Sequence, residues 1–197
     1  MSHYFETPTG KANTFRVPMR LWEADVELES SRGVFSGGGL DLGTAMLLRS
    51  TEPPAGPVQL LDLGCGIGPL TVALGLADPE ARITAVDVNE RALALTRANA
   101  DRLGIGDRVS TALPQDVPAG ERYDEIWSNP PIRIGKAALH ELLTTWLDRL
   151  RPAGTARMVV ARNLGADSLT TWLEDQGWDC QRVASAKGFR VLAVRRR

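Results

Sequence analysis

The chain has 197 residues, of which 43% are hydrophobic and 24% charged, with a net charge of −1, which suits one α/β domain over residues 1–197 and argues against general disorder. Two cysteines, Cys65 and Cys180, and two histidines, His3 and His140, speak against a disulfide framework and against a metal site. No apolar run approaches a membrane span, and Met1–Phe5 lack the core of a secretory signal, so the expected location is the cytoplasm with no membrane partner.

Residues 1–40 read as an irregular leader ending in Gly37-Gly38-Gly39, after which Asp41 is placed to cap a helix containing Met46, Leu47 and Leu48. Glu52–Pro57 breaks that helix. Strands and helices then alternate. Val58–Leu63 is a short apolar strand, and Pro69–Leu76 a helix with proline in its first turn. Ile83–Asp87 is a buried strand, and Glu90–Leu103 a helix stopped by Gly104. Arg108–Ala112 and Tyr123–Ser128 are further strands. Leu139, Leu142, Leu143, Trp146, Leu147 and Leu150 repeat at helical spacing. Ala156–Ala161 is a strand and Ala166–Gln176 a helix ended by Gly177; Trp178–Arg197 folds back on itself at Lys187-Gly188 as an antiparallel hairpin. Trp127 and Trp146 belong to the core.

Repeated βα units of this kind predict a mostly parallel sheet with helices on both faces, and a ligand site beyond the carboxyl ends of the strands. From Gln181 to Arg197 six basic residues and no acidic one occur: Arg182, Lys187, Arg190, Arg195, Arg196 and Arg197. They form either a solvated terminal strand or a phosphate-facing patch.

The first βα junction, Asp62-Leu63-Gly64-Cys65-Gly66-Ile67-Gly68, is a glycine loop that lets a ligand approach the backbone. Alone it is a weak signal, but Asp62 sharpens it. A pyrophosphate at that point would meet a carboxylate and be repelled. The methionine part of S-adenosylmethionine carries an ammonium, which Asp62 can receive directly or through water, and a carboxylate, which the loop amides can receive. The charge argument therefore favours S-adenosylmethionine over NAD. Asp87 ends the next strand, where an acid accepts both ribose hydroxyls; its plainer reading is a cap for the helix at Glu90. Asp116 follows the third strand, within reach of an adenine amino group or simply as a loop residue. Cys65 reads as a small packing residue rather than a nucleophile.

The fourth strand ends in Ser128-Asn129-Pro130-Pro131-Ile132. Two prolines stiffen the backbone and aim the Pro130 carbonyl. An exocyclic amine on a base is a poor nucleophile because its lone pair is conjugated with the ring. Two acceptors, the Asn129 side-chain oxygen and the Pro130 carbonyl, can bind its two hydrogens and turn the lone pair toward a methyl donor, so that alignment and electrostatics carry the catalysis. Arg133 and Lys136 follow, as phosphate contacts or as solvated positions at a helix start.

These motifs resemble the methyltransferase small-domain family, above all the catalytic half of the small-subunit rRNA guanine-N2 methyltransferases of the C type. Asn129-Pro130-Pro131 matches the (Asp/Asn)-Pro-Pro-(aromatic) motif of amino-directed methyltransferases. Gly33–Ser36, Leu40–Thr44, Asp62–Gly68, Val86–Asn89 and Lys187–Leu192 match in order. The resemblance implies a Rossmann-like, seven-stranded sheet with its last strand antiparallel. It also implies a cofactor site that adds Phe35, Thr44 and Val88 to Asp62, Gly64, Gly66, Asp87 and Asp116. Asn129, Pro130 and Pro131 would be catalytic, with Ile132, Arg133, Lys136, Phe189 and Arg190 toward an RNA substrate, rRNA or a ribosomal subunit. Ile132 departs from the aromatic that often stacks on the target base, weakening a contact worth about 1–3 kcal/mol. Adenine N6, a protein glutamine amide, and a non-catalytic scaffold of the same fold remain as alternatives.

Overall fold

The computed structural model describes residues 14–31, 34, 39–131 and 134–197. The first departure from expectation is at the start. Instead of an irregular leader, β1 (Thr14–Leu21) and β2 (Ala24–Ser31) form an antiparallel hairpin. Val17, Met19, Leu21 and Leu28 point into the core, each at most 4% exposed. The opposite face carries Arg16–Glu27 and Arg20–Asp25 pairs at 3.7 and 2.5 Å. Exposed pairs of this kind contribute little, so the buried alternation decides the element. At its turn, Trp22 adopts a φ of +47°. Its indole N–H donates to the carbonyls of Leu48 (2.7 Å) and Thr51 (3.1 Å), and its ring meets Trp127 edge-on at 5.7 Å. Leu48 is in the last turn of the first helix, where carbonyls lack helical partners.

That helix, α1 (Leu42–Arg49), is capped by Asp41 as expected, with its side chain accepting from the Gly43 and Thr44 amides. Then follow β3 (Gln59–Leu63), α2 (Pro69–Ala77), β4 (Arg82–Val86), α3 (Glu90–Arg102), β5 (Val109–Ala112) and β6 (Tyr123–Ser128), within a residue or two of the predicted bounds. α4 (Lys136–Leu147) ends before its apolar stripe does. Leu150 is buried, but as the first residue of β7 (Leu150–Ala161). The pairing of β6 with β7 shifts register between Tyr123 and Glu125, so β7 begins with a bulged stretch before its regular ladder. α5 (Ala166–Asp175) leads to the hairpin β8 (Trp178–Ala186) and β9 (Phe189–Arg196). The turn sits at the expected place, with φ of +51° at Lys187 and +81° at Gly188, the two positive values a tight hairpin turn demands.

The main sheet has the order β5-β4-β3-β6-β7-β9-β8. β3 to β7 run parallel, and β9 is antiparallel to both its neighbours. Successive strand residues divide between two cores, as the two-residue strand period requires. Leu60, Trp127, Val159 and Val191 face the layer of α1, α2, α3 and the N-terminal hairpin. Leu61, Ile126, Met158 and Leu192 face the core that takes in Leu143 and Trp146 of α4 and Leu169 and Leu173 of α5. Among the described residues no helix is long and apolar enough to cross a membrane.

Candidate active site

Register brings the site together. Leu63 pairs with Val86 on one side and Ser128 on the other, and Val86 pairs with Ala112. The residues that follow, Gly64, Asp87, Leu113 and Asn129, therefore emerge side by side at the carboxyl edge. Ser128 adds a pin that sequence reasoning passed over: its buried hydroxyl donates to the Leu63 carbonyl at 2.7 Å. A Cβ on Gly64 would lie 3.9 Å from Pro131 Cδ, so the glycine loop and the Asn-Pro-Pro segment are close neighbours.

Gly64, Gly66 and Gly68 have φ of +80°, +57° and +87°, a region that side chains enter only with strain. A Cβ at Gly66 would meet nothing within 4 Å, which leaves the loop open to a ligand. The loop amides are less open than expected. Gly64 and Cys65 donate to the Val86 carbonyl (2.8 and 3.0 Å), Gly68 to the Cys65 carbonyl (2.9 Å) and Gly66 to Asp87 (2.9 Å). The expectation that these amides receive a ligand carboxylate is thus the part of the sequence reading that the geometry favours least. Cys65 is buried, with burial raising its thiol pKa well above the ordinary value, in keeping with a packing role.

Asp62 is wholly buried. Its Oδ2 accepts from the amide and hydroxyl of Thr71 at 2.9 and 2.6 Å, and its Oδ1 has no partner. Burial pushes its pKa up to about 7, partly offset by the Thr71 bonds. Asp87 accepts from Gly66 N–H and, at 2.9 Å, from Asn89 N–H. It does not cap α3. Asn89 does, accepting from Arg91 and Ala92, which removes the plainer reading of Asp87 and leaves it as a tie between β4 and the glycine loop. Val88 is 52% exposed and Leu42 62%; these large apolar groups sit beside Asp87 and Asp41. Asp116 is exposed in the turn after β5, its amide bonded to Leu113.

Asn129 is half-buried. Its Nδ2 donates to Asp41 Oδ1 at 2.7 Å and to Thr44 Oγ1 at 3.1 Å. Among the described residues no donor meets its Oδ1 or the Pro130 carbonyl, whereas the Pro131 carbonyl accepts from Ile134 at 3.0 Å. Gly43 lies between these groups: a Cβ there would come within 3.0 Å of Asp41 Oδ1, 3.2 Å of Asn129 Nδ2 and 3.2 Å of the Phe189 ring. Thr44 and Phe189 are thereby gathered at the Asn129 site.

Other residues fall elsewhere. Phe35, Ile132 and Arg133 lie outside the described residues. Lys136 is the exposed first residue of α4. Arg190 corrects the sequence reading. Its side chain is 14% exposed and ion-paired to Asp167, which makes it a tie from β9 to α5 rather than an open phosphate ligand. For Arg195 to Arg197 the strand direction favours the solvated strand over the phosphate-facing patch. Phe189 pairs with Ala161 at the carboxyl end of β7, while Arg195 pairs with Thr155. β9 runs away from the site, so the arginine triplet lies about 20 Å from Phe189 at ~3.3 Å per residue.

A family model described as the methyltransferase small domain matches residues 25–193. The chain is 31% identical over 196 residues to YbxB of Bacillus subtilis (strain 168), an uncharacterized protein, with 98% of each chain covered. It is 33% identical over 183 residues to the ribosomal RNA small subunit methyltransferase C of Ectopseudomonas mendocina (strain ymp), covering 90% of this chain and 54% of that protein. The chain thus spans about half the length of the C-type relatives it matches. Among solved structures, a T. thermophilus 16S rRNA N2 methyltransferase in complex with AdoMet and guanosine superposes with a TM-score of 0.80 at 22% identity, over 96% of this chain and 52% of that one. The mitomycin 7-O-methyltransferase MmcR gives 0.64 at 17% identity, over 79% and 55%. Likeness at these identities speaks to the fold, and the fold serves different acceptors.

Proposed function

The chain belongs to the methyltransferase small domain family, and on that premise we propose that it transfers a methyl group from S-adenosylmethionine to an exocyclic amine of a nucleobase in RNA, with guanine N2 of small-subunit rRNA as the acceptor. The observation that carries the reading is the orientation of Asn129. With its amino group held by Asp41 and Thr44, the side-chain carbonyl is left as an acceptor next to the carbonyl of Pro130, beside the glycine loop.

S-adenosylmethionine supplies an electrophilic methyl group on a sulfonium sulfur. The unpartnered Oδ1 of Asp62 suits an ammonium, met directly or through water. Asp87 retains lone pairs beyond its two backbone bonds and suits ribose hydroxyls. Val88 and Asp116 are assigned to the adenine side and Thr44 to the cover of the site; Phe35, given that last role by the family resemblance, lies outside the described residues. Asn129 Oδ1 and the Pro130 carbonyl bind the two hydrogens of the acceptor amine and turn its lone pair away from both, a preorganised electrostatic arrangement. The nitrogen is acidic once methylated and loses its proton to water, so no side chain has to act as a strong base. Phe189, beside Asn129, and Lys136 are assigned to the acceptor side; Ile132 and Arg133, given the same role by the family resemblance, lie outside the described residues. The choice of rRNA guanine is supported by similarity to the C-type rRNA enzymes, and such a substrate belongs in the cytoplasm.

The test is transfer of labelled methyl from S-adenosylmethionine to total RNA, followed by nucleoside analysis. N2-methylguanosine is expected. Label in N6-methyladenosine or in protein glutamine would overturn the acceptor, and absence of transfer to any of them would overturn the catalytic reading. Asn129→Ala should lower single-turnover transfer by about 10²–10³ while leaving cofactor affinity largely unchanged.

A further inference from the structure

We infer that Asp41 is a positioning residue that fixes the Asn129 amide in the one orientation useful for an amine acceptor, an inference that rests on the amine-methylating reading above. The oxygen and nitrogen ends of an asparagine amide have nearly the same shape, so packing alone does not choose between them. Hydrogen bonding does. Asp41 Oδ1 lies 2.7 Å from one end of the amide, and a carboxylate can only accept. The amino end must therefore face Asp41, in a charge-assisted bond, and the carbonyl end faces the acceptor side. The opposite orientation would set an amide oxygen against a carboxylate and offer an N–H to an amine that needs an acceptor.

Asp41 is itself immobilised. The same Oδ1 accepts from Gly43 N–H at 2.8 Å and Thr44 N–H at 3.1 Å, so the start of α1 holds the carboxylate and the carboxylate holds the residue that follows β6. Gly43 permits the approach, since a Cβ would lie 3.2 Å from Asn129 Nδ2. The bond joins residues 88 apart in sequence. A helix cap has thus become part of the site's alignment.

The arrangement has a consequence that runs against the family motif, which accepts Asp or Asn at this position. In this chain Asn129→Asp sets two carboxylates in contact. They can share the position only while one carries a proton, because like charges disfavour joint ionisation. The variant should therefore be at its best in acid and lose function as pH rises. Adding Asp41→Ser removes one of the two carboxylates and with it the conflict, while the serine hydroxyl keeps the helix cap.

Four proteins decide the matter: the parent, Asp41→Ser, Asn129→Asp, and the double variant Asp41→Ser/Asn129→Asp. Serine keeps the cap but is too short to hold Asn129. Asp41→Ser should lose roughly tenfold in single-turnover rate, with cofactor affinity within about twofold of the parent. Relative to the parent, Asn129→Asp should lose rate and Tm as pH rises, and the double variant should regain a flat profile in both. A parent-like pH profile and Tm for Asn129→Asp, or a double variant no better than the single, would overturn the inference. Unfolding needs no substrate. If the parent methylates no RNA, the methyl-transfer reading fails by itself, while the Tm series still decides the Asp41–Asn129 orientation.

Discussion

Asp62 shows how much one buried group can say about a ligand. Its position before the glycine loop was legible in the sequence; its burial and its unpartnered Oδ1 were not, because they depend on α2 docking Thr71 against it. Burial raises its pKa from 3.8 to about 7, so in the free protein it holds a proton below neutrality. The sign follows from linkage: a group whose folded pKa is raised contributes stability that is full below the unfolded pKa and lost as pH rises through the folded one. Parent stability relative to Asp62→Asn should therefore be highest below about pH 4, fall between about pH 4 and 7, and level off above. An ammonium ligand favours the ionised form, so S-adenosylmethionine should bind more tightly as pH rises toward 7, with release of a proton from Asp62. Asp62→Asn should abolish that component, and it controls for titration of the ligand itself. Calorimetry in two buffers of different ionisation enthalpy measures the proton. Equal proton release by parent and variant would remove Asp62 from the cofactor site.

At the scale of elements, the βα units after residue 58 announced themselves through apolar runs, Pro69, and the glycines at 104 and 177. The N-terminal hairpin did not, though Val17, Met19 and Leu21 alternate with Arg16, Pro18 and Arg20, because charged β2 offers only Val26 and Leu28 as a matching pattern. What fixes the hairpin is a long-range partner invisible to local reading. Asn99 of α3, wholly buried, accepts from Glu29 N–H at 2.7 Å and donates to the Glu29 carbonyl at 3.0 Å, in the manner of a neighbouring strand. The same amide donates to the Ile67 carbonyl at 3.0 Å, and Arg102 reaches the Glu27 carbonyl. One side chain therefore ties the hairpin to the glycine loop. Asn99→Ala leaves these buried backbone groups unpaired and should cost about 1–3 kcal/mol of stability. It should also weaken S-adenosylmethionine binding, although Asn99 is not among the proposed cofactor contacts. A variant with lowered Tm and parental cofactor affinity would mean that the clamp holds the hairpin alone.

For the whole molecule, strand order and direction decide which charges can serve the site. The run of basic residues after Gln181 reads as one patch on paper, but an antiparallel last strand carries its beginning, not its end, to the carboxyl edge of the sheet. At the far end Arg195 donates to Thr155 at 2.9 Å, and Arg196 lies 3.6 Å from Asp148 and 5.0 Å over the Trp178 ring. At the near end, exposed Arg162 sits against the β8–β9 turn, its backbone N–H donating to the Gly188 carbonyl at 2.8 Å, with exposed Lys187 in that turn. If the acceptor is RNA, these two are placed to meet phosphates near Asn129 and the triplet is not. Each phosphate contact contributes about 0.7–0.9 to the slope of log affinity against log salt. Replacing Arg162 and Lys187 by glutamine should therefore flatten that slope by about 1.5. Replacing Arg195, Arg196 and Arg197 together should leave it nearly unchanged. Filter binding of an rRNA fragment across a salt series, with S-adenosylhomocysteine present, measures both. A larger change from the triplet would mean that RNA crosses the far edge of the sheet, and the approach to Asn129 would have to be redrawn.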